Sequence, residues 1–351
     1  MFNFYKNINL KILKVKTHLL SGMLLLLITT SCSQKDTAKK EISFYHWKSK
    51  AEFNSQYQES LKSANANKIY LHYFDIISEH EPNWYDDGIV PTYVLKSVAK
   101  EYKEFEIVPV VYITNRVFQV SDLEIQKLSN RIRDLVNQIS LKHFNKQISQ
   151  IQIDCDWTES TKYAYFELLE NLGKEFDLDV TIRLHQIKFK ERTGIPPVKK
   201  GTLMLYNVGD LKNMNQNSIL QNSIVKQYID SETKYPLPLN IALPLFSQTV
   251  VKNKDNEIKI IKNAERTIFK NDPHFKQVDV KNFQVVKDTL CKGFYLSEGY
   301  EIKLEELSVA EIVNSYQTIK ESKLITNGII FYHMDEKSLS NINLSELVGK
   351  L

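Results

Sequence analysis

Gln150-Ile-Gln-Ile-Asp-Cys-Asp-Trp-Thr158 alternates strictly. Ile151, Ile153, Cys155 and Trp157 fall on one side, and Gln152, Asp154, Asp156 and Thr158 on the other. A period of two predicts a β-strand with one apolar face. Its polar face ends in two carboxylates, and a helix-like run over 161–174 follows at once. A strand that carries acids forward and then turns into a helix is what a (β/α)8 barrel presents at the mouth where its active site lies.

Outward from this stretch the same alternation recurs. Strands are expected at 42–47, 68–75, 106–114, 179–186, 202–207, 239–246 and 327–333, which makes eight with 150–158. Amphipathic runs at 51–63 and 122–141 predict helices, as does 92–103 after Pro91. Ser308-Val-Ala-Glu311 opens another with a capping-box pattern. Eight strands with helices in the gaps favour a parallel sheet closed into a TIM barrel, an α/β fold spanning 42–351. The excess length falls after the seventh strand, where 250–307 reads as a β-rich insertion at the barrel mouth.

Composition removes several functional classes. Only ten glycines in 351 residues argue against a Gly-rich nucleotide loop. The formal charge of +4 comes from Lys6, Lys11, Lys14 and Lys16, in a 31-residue start without acids or arginine. The remainder is neutral, so there is no electrostatic case for binding nucleic acid. That basic start leads into Leu19-Leu-Ser-Gly-Met-Leu-Leu-Leu-Leu-Ile28 and then Thr29-Thr30-Ser31-Cys32. A short apolar run with small residues before a cysteine predicts a signal peptide over 1–31. Residues 32–41 form a polar tether. Cys155 and Cys291 are expected to be buried free thiols, since three cysteines make no disulfide framework.

Two sets of motifs carry a resemblance. Ile153-Asp-Cys-Asp-Trp157 with Met204-Leu-Tyr-Asn207 resembles glycoside hydrolase family 18, whose fourth strand reads Asp-x-x-Asp-x-Asp-x-Glu and whose sixth ends Met-x-Tyr-Asp. Phe44-Tyr-His-Trp47, the Asp-Cys-Asp strand, Thr181-Ile-Arg-Leu-His185 and the Tyr-Asn strand together resemble the bacterial domain of unknown function 3142. That second likeness spans most of the chain and brings no known reaction. The first implies a sugar hydrolase in which Asp156 orients the substrate, Asp154 supports it, and a glutamate protonates the glycosidic oxygen. Thr158 stands at that acid position, Ile151 at the first Asp and Asn207 at the strand-six Asp. The ending at Cys32 resembles a lipoprotein box and implies lipidation of that cysteine, with Thr29 in place of the favoured leucine.

The residues themselves suggest proton chemistry. Two carboxyls on one strand face repel, so one should hold its proton more tightly. Asp154 and Asp156 are the candidate catalytic pair, with Asp156 expected to be indispensable to a hydrolase. Asp75, or an acid of the 78–90 loop, is the alternative partner. Trp47, Asp75, Arg183, His185, Tyr206, Asn207 and Tyr332 are candidate substrate-binding residues at strand ends, where aromatic faces can stack on sugar rings. A hydroxyl such as that of Thr158 is too weak an acid to replace a carboxyl. No His-x-His or Glu-x-x-His spacing occurs, so no metal and no cofactor are expected.

Two functions are compatible with these features. One is a cell-envelope lipoprotein that processes a glycan. The other is a catalytically silent barrel that binds glycan or protein through the same mouth and the 250–307 insertion. Either is expected to be lipid-anchored at the cell envelope, in the outer membrane of a Gram-negative bacterium. The mature protein should therefore fractionate with membranes, and Cys32→Ser should release it. Mass spectrometry finding an unmodified N-terminal peptide in the soluble envelope fraction would exclude the anchor.

Overall fold

The computed structural model describes residues 40–79, 88–261 and 266–351. Cys32, the signal-like segment and the loop residues Glu81, Trp84, Tyr85, Asp86 and Asp87 lie outside the described residues. Eight strands form the frame: β1 (Ile42–His46), β2 (Lys68–Ser78), β3 (Glu106–Ile113), β4 (Gln150–Asp154), β5 (Asp177–Ile182), β6 (Lys200–Met204), β7 (Leu239–Pro244) and β8 (Thr326–Tyr332). Each pairs in parallel with the next, and β8 returns to β1, which closes the barrel.

Helices α1 (Ser55–Ser63), α2 (Ile125–Phe144), α3 (Lys162–Leu172), α4 (Leu184–Lys188), α5 (Asn222–Tyr228) and α6 (Val309–Lys320) follow β1, β3, β4, β5, β6 and β7. The stripe Leu128, Ile132, Val136 and Ile139 is the buried face of α2, and Asn145 ends that helix in the left-handed conformation, φ 53°. Ser308 caps α6 by accepting from the Glu311 amide at 3.1 Å. Cys155 and Cys291 are buried and unbridged.

The connection from β2 to β3 departs from the expected helix over 92–103. Ile89–Thr92 instead folds back antiparallel on Asp75–Ser78, and a 3-10 turn covers Lys100–Glu104. The backbone donors of this segment find non-helical partners: Leu95 N donates to Tyr73 O at 2.7 Å, and Ala99 N to Ala51 O at 2.8 Å. Pro91 is accommodated because it lies on the sheet's edge. The fifth strand is also shorter than expected. It stops at Ile182, and Arg183 caps α4, so His185 stands on a helix rather than on the strand.

After β7 the chain builds a five-stranded antiparallel sheet, in spatial order Ile258–Ile261, Gln248–Lys252, Glu301–Glu305, Asn282–Val285 and Phe275–Gln277. It has its own core around Phe269, Phe275 and Phe283. A buried ion pair ties it to the loop after β6. Lys303 Nζ meets Glu305 at 2.7 Å and donates to the carbonyls of Asn213 and Gln216. Glu305 accepts from Ser218 and Gln248. With every charge partnered, the pair fixes the loop geometry while contributing little net stability.

Inside the barrel a polar chain runs from strand to strand. Tyr45 donates to Gln152 at 2.7 Å, Gln152 to Thr202 at 3.1 Å, and Thr202 to Asp179 at 2.9–3.0 Å. Tyr70 also donates to Asp179, at 3.3 Å. Burial pushes Asp179 up to about 6, against the pull of Thr202 and Lys200. A carboxyl raised by folding stabilises the native state fully below its ordinary value and loses that contribution as pH rises through about 6. Asp179→Asn removes this dependence and keeps the shape. Its melting temperature should match wild type near pH 4.5 and exceed it by a few degrees, ~1–2 kcal/mol, at pH 7.5. Parallel melting curves for the two proteins across that interval would place the titrating proton elsewhere.

Candidate active site

The mouth is built where the polar chain reaches the C-terminal ends of the strands. Asp154 is the last residue of β4 and only 6% exposed. Thr181 on β5 donates to its Oδ1 at 2.6 Å. Burial is the largest influence on this carboxyl and lifts it to about 6, with Asp156 and Asp75 adding to the rise and Thr181 and Arg183 opposing it. The expected repulsion between Asp154 and Asp156 is thus present, but desolvation outweighs it.

Asp156 lies beyond the end of β4, with 47% of its side chain exposed. Arg183 holds it with two hydrogen bonds, Nε to Oδ1 at 2.6 Å and NH2 to Oδ2 at 3.1 Å. The guanidinium also reaches the Tyr206 carbonyl at 3.4 Å. Arg183 is fixed from behind. Its amide donates to Gln186 Oε1 at 2.7 Å, and Gln186 Nε2 donates to the Trp157 carbonyl at 3.0 Å. The first residues of α4 therefore lock the end of β4 to the end of β5. Trp157 faces outward, stacked on Tyr165 of α3.

Thr158 is turned away into the start of α3. Its hydroxyl is engaged with Ser160 and Thr161, and Thr161 donates to Asn115. Glu159, the next acid in sequence, is exposed and paired with Arg192 at 3.2 Å. Neither supplies an acid to the mouth.

Aromatic rings form the walls. Tyr206 stacks on Tyr332 with centroids 4.6 Å apart, and Phe246 packs edge-on against both. Trp47 leans on Tyr332 at 6.0 Å and on His72 at 4.8 Å. Tyr206 is almost wholly buried, whereas Trp47 and Tyr332 are partly open. His46, within the Phe44-Tyr-His-Trp47 motif, points outward against Tyr102, and burial lowers it to about 3. Asn207 is exposed with φ 53°. His185 is exposed on α4, close enough to Asp156 and Arg183 to feel both, with partial burial lowering its proton affinity.

Two residues not singled out as a pair complete the site. His72 Nε2 lies 2.7 Å from Asp75 Oδ1. His72 carried no motif, and Asp75 three residues later should fall on the opposite face of a regular strand. Among the described residues no group of three or more His, Cys, Asp or Glu could hold a metal ion.

No protein-family model matches the chain, and no curated protein matches it in sequence. Solved structures do. The C-terminal domain of a protein assigned as a chitinase from Desulfitobacterium hafniense superposes with a TM-score of 0.50 at 12% identity, over 89% of this chain and 99% of that one. The spore cortex-lytic enzyme SleL of Bacillus cereus gives 0.48 at 12% identity, over 89% and 74%. A xylanase and alpha-amylase inhibitor protein from Scadoxus multiflorus gives 0.43 at 10%, over 89% and 97%. The fold shared with the Desulfitobacterium hafniense domain is the (β/α)8 TIM barrel.

The geometry around Asp154 can be tested without a substrate. Arg183→Gln removes a nearby positive charge and frees the charge of Asp156 beside it. The Asp154 titration midpoint, read by carboxyl-carbon NMR, should move upward from about 6. An unmoved midpoint would show that the ion pair does not act on this carboxyl.

Proposed function

We propose that this barrel acts on a glycan at its mouth, as a glycoside hydrolase-like envelope lipoprotein held to the outer membrane through Cys32. The observation that carries this reading is Asp154, a buried carboxyl at the end of β4 raised to about 6 beside the stacked rings of Tyr206 and Tyr332. Near neutrality such a group exists in both protonation states, which is what a proton-transferring residue needs. Partly exposed aromatic faces at Trp47 and Tyr332 suit the apolar face of a sugar ring. Asp156, neutralised by Arg183, suits orientation of substrate better than proton transfer. The likeness in fold to the chitinase domain agrees with this reading; fold alone does not assign a reaction.

The second reading, a binding protein without turnover, is favoured by one feature. Thr158 stands at the position of the family acid and is engaged with the start of α3. Peptidoglycan, chitin and host-type glycans incubated with purified protein separate the two. Hydrolysis should appear as new reducing ends, with Asp154→Asn lowering kcat by ~10²–10⁴-fold. The protonated carboxyl is the active form of a general acid, so wild-type kcat/KM should fall as pH rises through about 6. Asp156→Asn and Trp47→Ala should act mainly on KM. Full activity in Asp154→Asn would remove that residue from the mechanism, and binding without any new reducing ends would favour the second reading.

A further inference from the structure

The ladder from β2 to β4 places a second carboxyl level with Asp154, two strands away. Pairing of β2 with β3 shifts register between His72 and Phe74, an irregularity that inserts one extra residue. Beyond it Asp75 pairs with Tyr112, and Tyr112 pairs with Asp154. Asp75, Tyr112 and Asp154 thus occupy one rung of three adjacent strands. Without the shift, His72 and Asp75 would point to opposite faces. With it, both turn inward and meet at 2.7 Å.

With Asp75 ionised, as a general base must be, the dyad has one arrangement. A carboxylate only accepts hydrogen bonds, so His72 Nε2 donates to Asp75. His72 is 3% exposed, and its Nδ1 is buried with no hydrogen-bond partner among the described residues. The Trp47 ring lies against the imidazole and screens it from solvent. Asp75 is 17% exposed, more open than its partner. The imidazole holds one carboxylate oxygen and leaves the group facing the mouth, where its charge is felt by Asp154, Tyr112 and Tyr332.

Resting on the glycan-hydrolysing reading above, we propose that Asp75 is the second catalytic carboxylate, a general base on water opposite Asp154, and that His72 is its positioning residue. Two inter-strand steps of ~4.8 Å separate the two backbones by ~9–10 Å. A backbone spacing of this size accommodates the ~6.5–9.5 Å carboxyl separation that leaves room for a water between the two groups. Asp75 takes a proton from water, and the water oxygen bonds to the anomeric carbon. The glycosidic C–O bond breaks with its electron pair passing to the leaving oxygen, which takes the proton of Asp154. The products are a hemiacetal of inverted configuration and a free alcohol. Solvent then returns one proton to Asp154 and removes one from Asp75.

The stereochemistry decides the proposal. Proton NMR of the first product formed by the full-length protein in detergent should show inversion at the anomeric carbon; retention overturns it. Asp75→Ala should lower kcat by ~10²–10⁴-fold with little change in KM. Added formate should restore a large part of that loss, which a misfolded protein could not show. His72→Ala should lower kcat, and His72→Gln, which keeps a donor, should recover most of it. Full activity in Asp75→Ala with none in Asp154→Asn overturns the pair and leaves the hydrolase reading standing. No turnover of any glycan by the wild type overturns both.

Discussion

A closed eight-stranded barrel has no free edge and a lumen too narrow for solvent, so every inward side chain must be satisfied by another. Here the lumen is largely polar. Tyr45, Gln152, Thr202, Asp179 and Tyr70 form a continuous chain of donors and acceptors across five strands. Asn240 extends it, donating to Tyr70 at 3.4 Å and accepting from the Gly328 amide at 3.1 Å. Such a network ties the register of each strand to that of its neighbours, because slipping one strand by a residue would orphan several buried groups at once. It also sets the electrostatics of the mouth. Both acids drawn into this dry interior, Asp179 and Asp154, are lifted to about 6, with burial the largest cause in each.

The acids at the mouth are differentiated by position along a few ångströms of strand. Asp154 is held inside the barrel, accepting from a neutral hydroxyl, and burial dominates it. Asp156 is two residues further, past the last ladder pair, where the chain has left the sheet and an arginine from the next strand end can grip it. An arginine fork satisfies both oxygens and neutralises the charge. Burial thus acts on one carboxyl and an ion pair on the other, so two identical side chains on one short segment are suited to different tasks.

How much of this was legible in the sequence follows from which forces leave a local trace. The eight strands were legible because apolar residues packed against the helices alternate with lumen residues that are often polar, and α2 because its apolar stripe repeats at helical spacing. The inward direction of Asp154 followed from the same alternation. The region after Pro91 read as a helix because its composition permits one, yet its amides are taken by Tyr73, Ser49 and Ala51, distant contacts that no local pattern records. Arg183 and His185 read as strand neighbours on one face. The strand in fact ends at Ile182, because Gln186 folds back on the Arg183 amide and starts a helix. The irregularity between His72 and Phe74 left no sign at all. Neither glycine nor proline marks it, and the alternation 68–75 reads equally well as a regular strand.

That irregularity bears on Thr158, which stands where the glycoside hydrolase pattern that the strand resembles has a glutamate. In that resembled pattern one strand supplies both the orienting aspartate and the acid, which requires the strand to reach the mouth with its alternation intact. Here β4 stops at Asp154, and Thr158 and Glu159 are drawn into the α3 start and an outer ion pair. Lengthening β4 to carry an acid would have to break the Gln186–Trp157 hydrogen bond and unstack Trp157 from Tyr165, both buried interactions. β2 is free of that constraint. At eleven residues it is the longest strand of the barrel, and it runs past the rim where its neighbours end. One extra residue there turns an acid inward without disturbing anything packed behind β4. The carboxyl of Asp75 thus reaches the mouth from a strand whose register shift turns it inward, two strands from the end of β4.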